Sequence, residues 1–189
     1  MTPKIFLTAG WLLLAAGCAL WETPEYREPV FFDLTAKNTS PVSTLPAEFK
    51  NFTDISGNGV RITRRLKDGT ISFDDDNRFS APPAQLLRRR LTELFPADAS
   101  HKNTFTVSGR IDRFEADLKN SCALMKADYT VRYGNSRISV RHEFTEKLSG
   151  TSARDIALAL ESCILDSARR LAQEMAALKS SSEKSKEKK

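Results

Sequence analysis

Ala123-Leu124-Met125-Lys126-Ala127-Asp128-Tyr129-Thr130-Val131-Arg132-Tyr133 is the stretch whose reading decides the fold. Ala123, Met125, Ala127, Tyr129, Val131 and Tyr133 alternate with Lys126, Asp128 and Arg132. Successive side chains of a strand project to opposite faces, so this strand has one apolar and one polar face. Gly134-Asn135 turns the chain. Ile138, Val140 and Phe144 then alternate with Arg137, Arg141 and Glu143. Upstream, Thr104 to Leu118 is a third β run. Phe105, Val107 and Ile111 share one parity, and Phe114, Ala116 and Leu118 share the other. The switch near Asp112-Arg113 predicts a β-bulge. Three alternating runs with short connections predict an antiparallel meander, wet on one face and covered on the other.

Thr151 to Leu178 supplies the cover. Ala153, Ala157, Leu160, Ile164, Ala168, Leu171, Met175 and Leu178 form one stripe at helical period. Ser149-Gly150-Thr151 and Asp155 suit its start. A second helix is predicted over Pro82–Phe95, with Ser80 as a cap and Pro82-Pro83 in a first turn that needs no amide donor. Leu87, Leu91 and Leu94, flanked by Leu86 and Phe95, mark its buried face. Arg88, Arg89 and Arg90 span its flank and outer face. Pro96 ends it.

Farther upstream, Val60, Ile62, Arg64 and Leu66 alternate with Arg61, Thr63 and Arg65, and Thr70-Ile71-Ser72-Phe73 follows an Asp68-Gly69 pair. Asp-Gly between β runs predicts a hairpin, because Gly takes positive φ readily. Asp74-Asp75-Asp76 lacks the further ligands of a calcium loop and is expected to be a solvated turn. Val30 to Leu34 and Ala47 to Asp54 read as short strands. The expected fold is α+β: a mostly antiparallel sheet with a three-strand meander, one face covered by the helices Pro82–Phe95 and Thr151–Leu178.

The 189 residues carry a net charge of +5. Five Lys and two Glu fall within residues 179–189, so the rest of the chain is close to neutral. That tail has too little apolar surface to order itself and is expected to be disordered. Residues 1–17 read as a secretory signal. Lys4 precedes an uncharged run from Ile5 to Ala16, which is too short for a bilayer core of roughly 30 Å, where ~20 residues are needed. The run closes on Ala15-Ala16-Gly17-Cys18 and resembles a lipobox, with Cys18 as the lipidation site. Ala19, rather than Asp, follows the cysteine, which favours the outer membrane and its periplasmic face. Residues 18–29 read as a tether and 30–178 as a single domain. Cys122 and Cys163 would share an oxidising compartment, where they can pair or remain as two small buried thiols; the sequence leaves both open.

The sequence contains no Gly-x-Ser-x-Gly, no His-Glu-x-x-His, no Cys-x-x-Cys and no Gly-x-x-x-x-Gly-Lys-Ser/Thr. His101 falls in a polar stretch. His142 shares the parity of Ile138, Val140 and Phe144 and reads as a packed core residue. The expectation is a protein that is not an enzyme, with no cofactor, no metal and no nucleic-acid partner.

One segment carries a family resemblance. After the Val60 hairpin comes Arg78-Phe79-Ser80-Ala81-Pro82-Pro83-Ala84-Gln85-Leu86-Leu87, opening a basic helix. It resembles the ABC-type transport auxiliary lipoproteins, the PqiC-like family, in which an aromatic (usually Trp), a small residue, Pro and two aliphatics open a helix. Phe79, Pro82, Pro83, Leu86 and Leu87 would hold the structural positions of that motif. The resemblance extends through Phe105–Leu118 to the Ala-rich last helix. It implies a lipid-anchored periplasmic component of an ABC/MCE-type envelope transport system for lipids or other hydrophobic cargo. Such a component docks on an MCE-type protein and ABC transporter components, as an oligomer, and has no ATP site. Arg88, Arg89 and Arg90 are then the first candidates for the partner surface. The competing reading is a lipoprotein regulator or chaperone of another envelope machine, serving cell-wall synthesis or outer-membrane assembly.

Overall fold

The computed structural model describes residues 27–34, 40–96 and 104–187. The signal, Cys18 and His101 lie outside the described residues. Seven strands and two helices follow in the order β1 (Val30–Phe32), β2 (Ala47–Asp54), β3 (Arg61–Arg65), β4 (Ile71–Phe79), α1 (Pro83–Leu94), β5 (Phe105–Asp117), β6 (Cys122–Tyr133), β7 (Ser136–Lys147) and α2 (Ala153–Glu187).

The expected α+β sheet is present. Its order is β1-β4-β3-β5-β6-β7, with β2 pairing on β5. The meander is antiparallel throughout, and its β6–β7 register is unbroken from Cys122↔Lys147 to Tyr133↔Ser136. The bulge between Ile111 and Arg113 lies where the parity switch put it. Three other pairings are parallel: β1 with β4, β2 with β5 and β3 with β5. The sheet is therefore mixed.

β5 organises the two sides. Its first half carries β2 and its end carries β3. β2 lies close because Gly109 has no side chain; a Cβ there would sit 2.6 Å from the Phe52 ring. Lys50 and Asn51 bulge out of β2, with Asn51 at φ +52°, a conformation Asn tolerates better than most residues. Between β3 and β4, Gly69 takes φ +88° and Leu66 N donates to Thr70 O at 2.8 Å.

The Asp74-Asp75-Asp76 turn is corrected. These residues belong to β4, where the register with β3 breaks. One Asp74 oxygen accepts the backbone N–H groups of Asp76 and Asn77 at 3.1 and 2.9 Å, which satisfies donors the ladder leaves unpaired. The other meets Arg64 at 2.5 Å. The side chain thus holds a bulge inside the strand.

The helix ends are also corrected. Ser80 does not cap α1; its N–H donates to Phe32 O, and no side chain caps the helix. α2 starts with a capping box one residue beyond the expected Ser149-Gly150-Thr151. Asp155 N donates to Ser152 Oγ at 3.2 Å, and Ser152 N donates back to the Asp155 carboxylate at 3.3 Å. At the other end the helix does not stop at Leu178, where the apolar stripe ends, but continues to Glu187 through the tail expected to be disordered. Lys and Glu are strong helix formers, so propagation from an existing helix costs little.

Both helices pack on one face and share one core. Leu87, Leu91, Leu94, Ile164, Leu171 and Met175 are fully buried. Each such side chain contributes roughly 1.5–3 kcal/mol relative to exposure. Edge-to-face pairs Phe79–Phe114 and Phe49–Phe95, at 5.5 and 5.3 Å, join the hairpin and β2 to this core.

A candidate docking surface on the first helix

Helical period decides which arginine of the triplet faces where. Leu86, Leu87, Arg90, Leu91 and Leu94 lie on the buried side of α1, so Arg90 is carried inward while Arg88 and Arg89 are left outside. Arg90 is therefore removed from the expected partner surface. Its side chain is 4% exposed, donates to Glu93 at 2.8 Å and lies in ion-pair range of Glu161 of α2 at 3.4 Å. It ties the two helices together.

Arg88 and Arg89 border an open groove of about 520 Å³, lined also by Phe49, Ala81, Gln85, Thr92 and Glu93, the last of which is paired with Arg90. Arg89 is held by the Asp33 carboxylate and lies 3.4 Å from Ser80 Oγ. Arg88 has no ion-pair partner among the described residues; only its carbonyl is engaged, by Thr92 Oγ1. A cation held in water can meet an acidic partner with little desolvation cost. Phe79, Pro82, Pro83, Leu86 and Leu87 build the base: Phe79, Leu86 and Leu87 are buried, and Pro82 O accepts the N–H groups of Gln85 and Leu86.

His142 stands in the core, as its parity implied, but it is not alone. Its Nδ1 lies 3.0 Å from Ser167 Oγ and its Nε2 lies 3.1 Å from Glu174. Ser167 Oγ also lies 2.9 Å from Tyr129 Oη, and Arg170 donates to Glu174 at 3.1 Å. Burial holds the imidazole below its ordinary value of 6.5, against the opposing pull of Glu174. Burial likewise pushes the Tyr129 phenol well up. Ser, His and Glu in mutual reach have the form of a nucleophile and base, but Ser167 is fully buried and Tyr129 and His142 nearly so. The group fastens α2 to β6 and β7. The sequence held one signal for it: Ser167 falls on the apolar stripe, three residues from Ile164 and four from Leu171.

On the wet face of the meander, Arg141 bonds Asp128 at 2.6 and 2.9 Å, and Arg110 bonds Asp128 at 2.7 Å. These partners hold the Asp128 carboxyl below the usual range. Cys122 and Cys163 are both free thiols. Cys122 shares the strand parity of Leu124 and Lys126, away from α2. Cys163 packs on the other face, 3.7 Å from Phe144 O, and burial pushes its thiol up to about 12. Among the described residues no His/Cys/Asp/Glu group is disposed to hold a metal, and no helix is long and apolar enough to cross a membrane.

The fold is shared with solved structures. One, described only as an uncharacterized protein, matches with a TM-score of 0.63 at 11% identity, over 79% of this chain and 99% of that chain. Protein XCC0632 from Xanthomonas campestris, of family DUF330, matches with a TM-score of 0.62 at 13% identity, over 82% of this chain and 99% of that chain. No protein-family model and no curated protein matches the sequence.

Proposed function

We propose that the chain is a lipid-anchored protein of the periplasmic face of the outer membrane. It serves as an auxiliary component of an ABC/MCE-type transport system for lipids or other hydrophobic cargo, and it works by docking rather than catalysis. The observation that carries this reading is the uncharged run of a dozen residues ending at Ala16-Gly17-Cys18. More than one acyl chain on such a cysteine gives stable membrane anchoring. The domain behind it shares its fold with a DUF330 protein along nearly all of that protein's length. Its exposed Arg88 beside a groove on α1 offers acidic partners a contact.

The test is affinity capture of the full-length protein from detergent-solubilised membranes. The expected co-purifying species are an MCE-type protein and ABC permease subunits, and cell-wall synthases or assembly factors in their place would favour the regulator reading. Arg88→Glu with Arg89→Glu leaves the melting temperature in place and lowers recovery several-fold. Unchanged recovery rejects α1 as the docking surface. Mass spectrometry showing an unmodified thiol at Cys18 rejects the anchor.

A further inference from the structure

The sheet ends on β7, whose twelve residues run in unbroken register with β6 and have no outer neighbour among the described residues. A long flat edge strand is a template for another chain, and proteins blunt such edges with proline, bulges or short length. β7 has no proline, no bulge and full length; its charged side chains, another such device, are of both signs and so can be matched by a partner strand. The opposite edge, β1, has three residues.

The β6–β7 turn determines which backbone groups are available. Tyr133 and Ser136 flank a two-residue turn with Gly134 at φ +57°, and such flanking residues form a hydrogen-bonded pair. The even-numbered residues of β7 therefore direct their N–H and C=O groups to β6. The odd-numbered residues, from Arg137 to Lys147, direct theirs outward.

We propose that β7 pairs antiparallel with β7 of a second copy of this chain, about a two-fold axis through His142, joining the two sheets edge to edge. An isologous contact of this kind must be self-complementary. In this register Arg141 faces Glu143 of the second copy, Ser139 faces Thr145, and on the covered face Val140 faces Phe144. Each pair occurs twice by symmetry. Moving the axis one residue either way aligns Arg141 with Arg141 or Glu143 with Glu143, and like charges directly opposed are destabilising. The outer pairs, Arg137 with Lys147 and Ile138 with Glu146, are mismatched, which confines the pairing to residues 139–145.

Two features of β7 support this. Asp128 already bonds Arg141, and Lys126 bonds Glu143 at 2.9 Å. The new pair completes a row of alternating charge across the joined sheet: Asp128, Arg141, then Glu143 and Lys126 of the second copy. On the other face Val140 and Phe144 are only half-buried, so the core is unfinished at this edge. α2 packs on both β6 and β7. With strands ~4.8 Å apart, the two copies of α2 would lie ~10 Å apart, an ordinary helix-packing distance. The proposal does not rest on the transport reading.

The experiment is sedimentation of full-length protein in detergent across a concentration series, with melting temperature as the folding control. Wild type is expected as a dimer or a multiple of it. Arg141→Glu sets Glu against Glu twice, and the dissociation constant rises at least tenfold. Thr145→Pro removes an outward N–H and weakens it independently. A monomeric wild type, or an oligomer indifferent to Arg141→Glu or to Thr145→Pro, would each overturn the proposal.

Discussion

The two sides of the sheet solve the same problem by different means. On the meander side, β5, β6 and β7 pair with their neighbours in sequence, and their interface with α2 buries two hydroxyls and an imidazole, Tyr129–Ser167–His142, with the Glu174 carboxylate at the outer end. On the β1–β4 side the parallel pairings join distant segments. The polar groups there are ion pairs: Arg64–Asp74, Arg65–Glu115 and, between the helices, Arg90–Glu161. Buried hydrogen bonds between neutral groups cost little desolvation, whereas a buried ion pair holds its position only while both partners remain. The two sides should therefore respond differently to loss of one polar group.

The largest effect is expected at Arg90. Arg90→Ala removes a buried side chain that spans both helices and leaves the Glu161 carboxyl, 12% exposed, without its ion-pair partner, and this should cost about 3 kcal/mol in urea unfolding. Arg90→Met with Glu161→Leu removes both charges and should recover most of the loss. A single variant within 1 kcal/mol of wild type would mean that the helices are not held by this pair, and the contrast between the two sides would fail.

Next is Ser167→Ala. It deprives His142 Nδ1 and Tyr129 Oη of their shared partner inside the core, a loss of about 1–3 kcal/mol. Adding Tyr129→Phe should then cost little more, because the phenol has already lost its bond. Additive losses would show that the three groups do not act together.

The meander was legible because its information is local. Alternation from Phe105 to Phe144, one parity switch and a Gly134-Asn135 turn specify strands, bulge and pairing partners without reference to anything distant. The other side was not legible in the same way. β2 was readable as a strand, but nothing in Ala47–Asp54 says that it lies parallel to β5, since that depends on Phe52 finding the one position on β5, Gly109, without a side chain. The Asp74 bulge was missed because an acidic run resembles a solvated turn until Arg64 is seen beside it. For the candidate surface, period alone separates Arg90 from Arg88, but the carboxylate that makes Arg90 structural comes from α2.

A smaller effect follows from His142. Its folded value lies below the ordinary 6.5, so between those two values the unfolded chain binds a proton that the folded chain does not. The stability it contributes is fully present above pH ~6.5 and is lost as pH falls through that window, at no more than ~1.4 kcal/mol per pH unit. Asp117, Asp128 and Glu143, held below their ordinary 3.8, 3.8 and 4.5, act in the same sense but only in more acid solution. His142→Gln should flatten the stability profile between pH 7 and 5 relative to wild type. The difference between the two proteins is the measure, and parallel profiles would place the His142 imidazole at its ordinary value.

The smallest expected effect sharpens the contrast most. Arg88 lies two residues from Arg90 on the same helix, with the same side chain, yet it reaches no carboxylate among the described residues. Charge reversal at an exposed site without a partner usually stays within ±0.5 kcal/mol. Arg88→Glu should therefore unfold at the wild-type urea midpoint, against the loss of several kcal/mol at Arg90. Equal losses would mean that the arginine triplet acts as one structural unit, which would leave α1 without a cation available to a partner. A silent Arg88→Glu would make any fall in partner recovery attributable to the surface itself, because the fold beneath it would be unchanged.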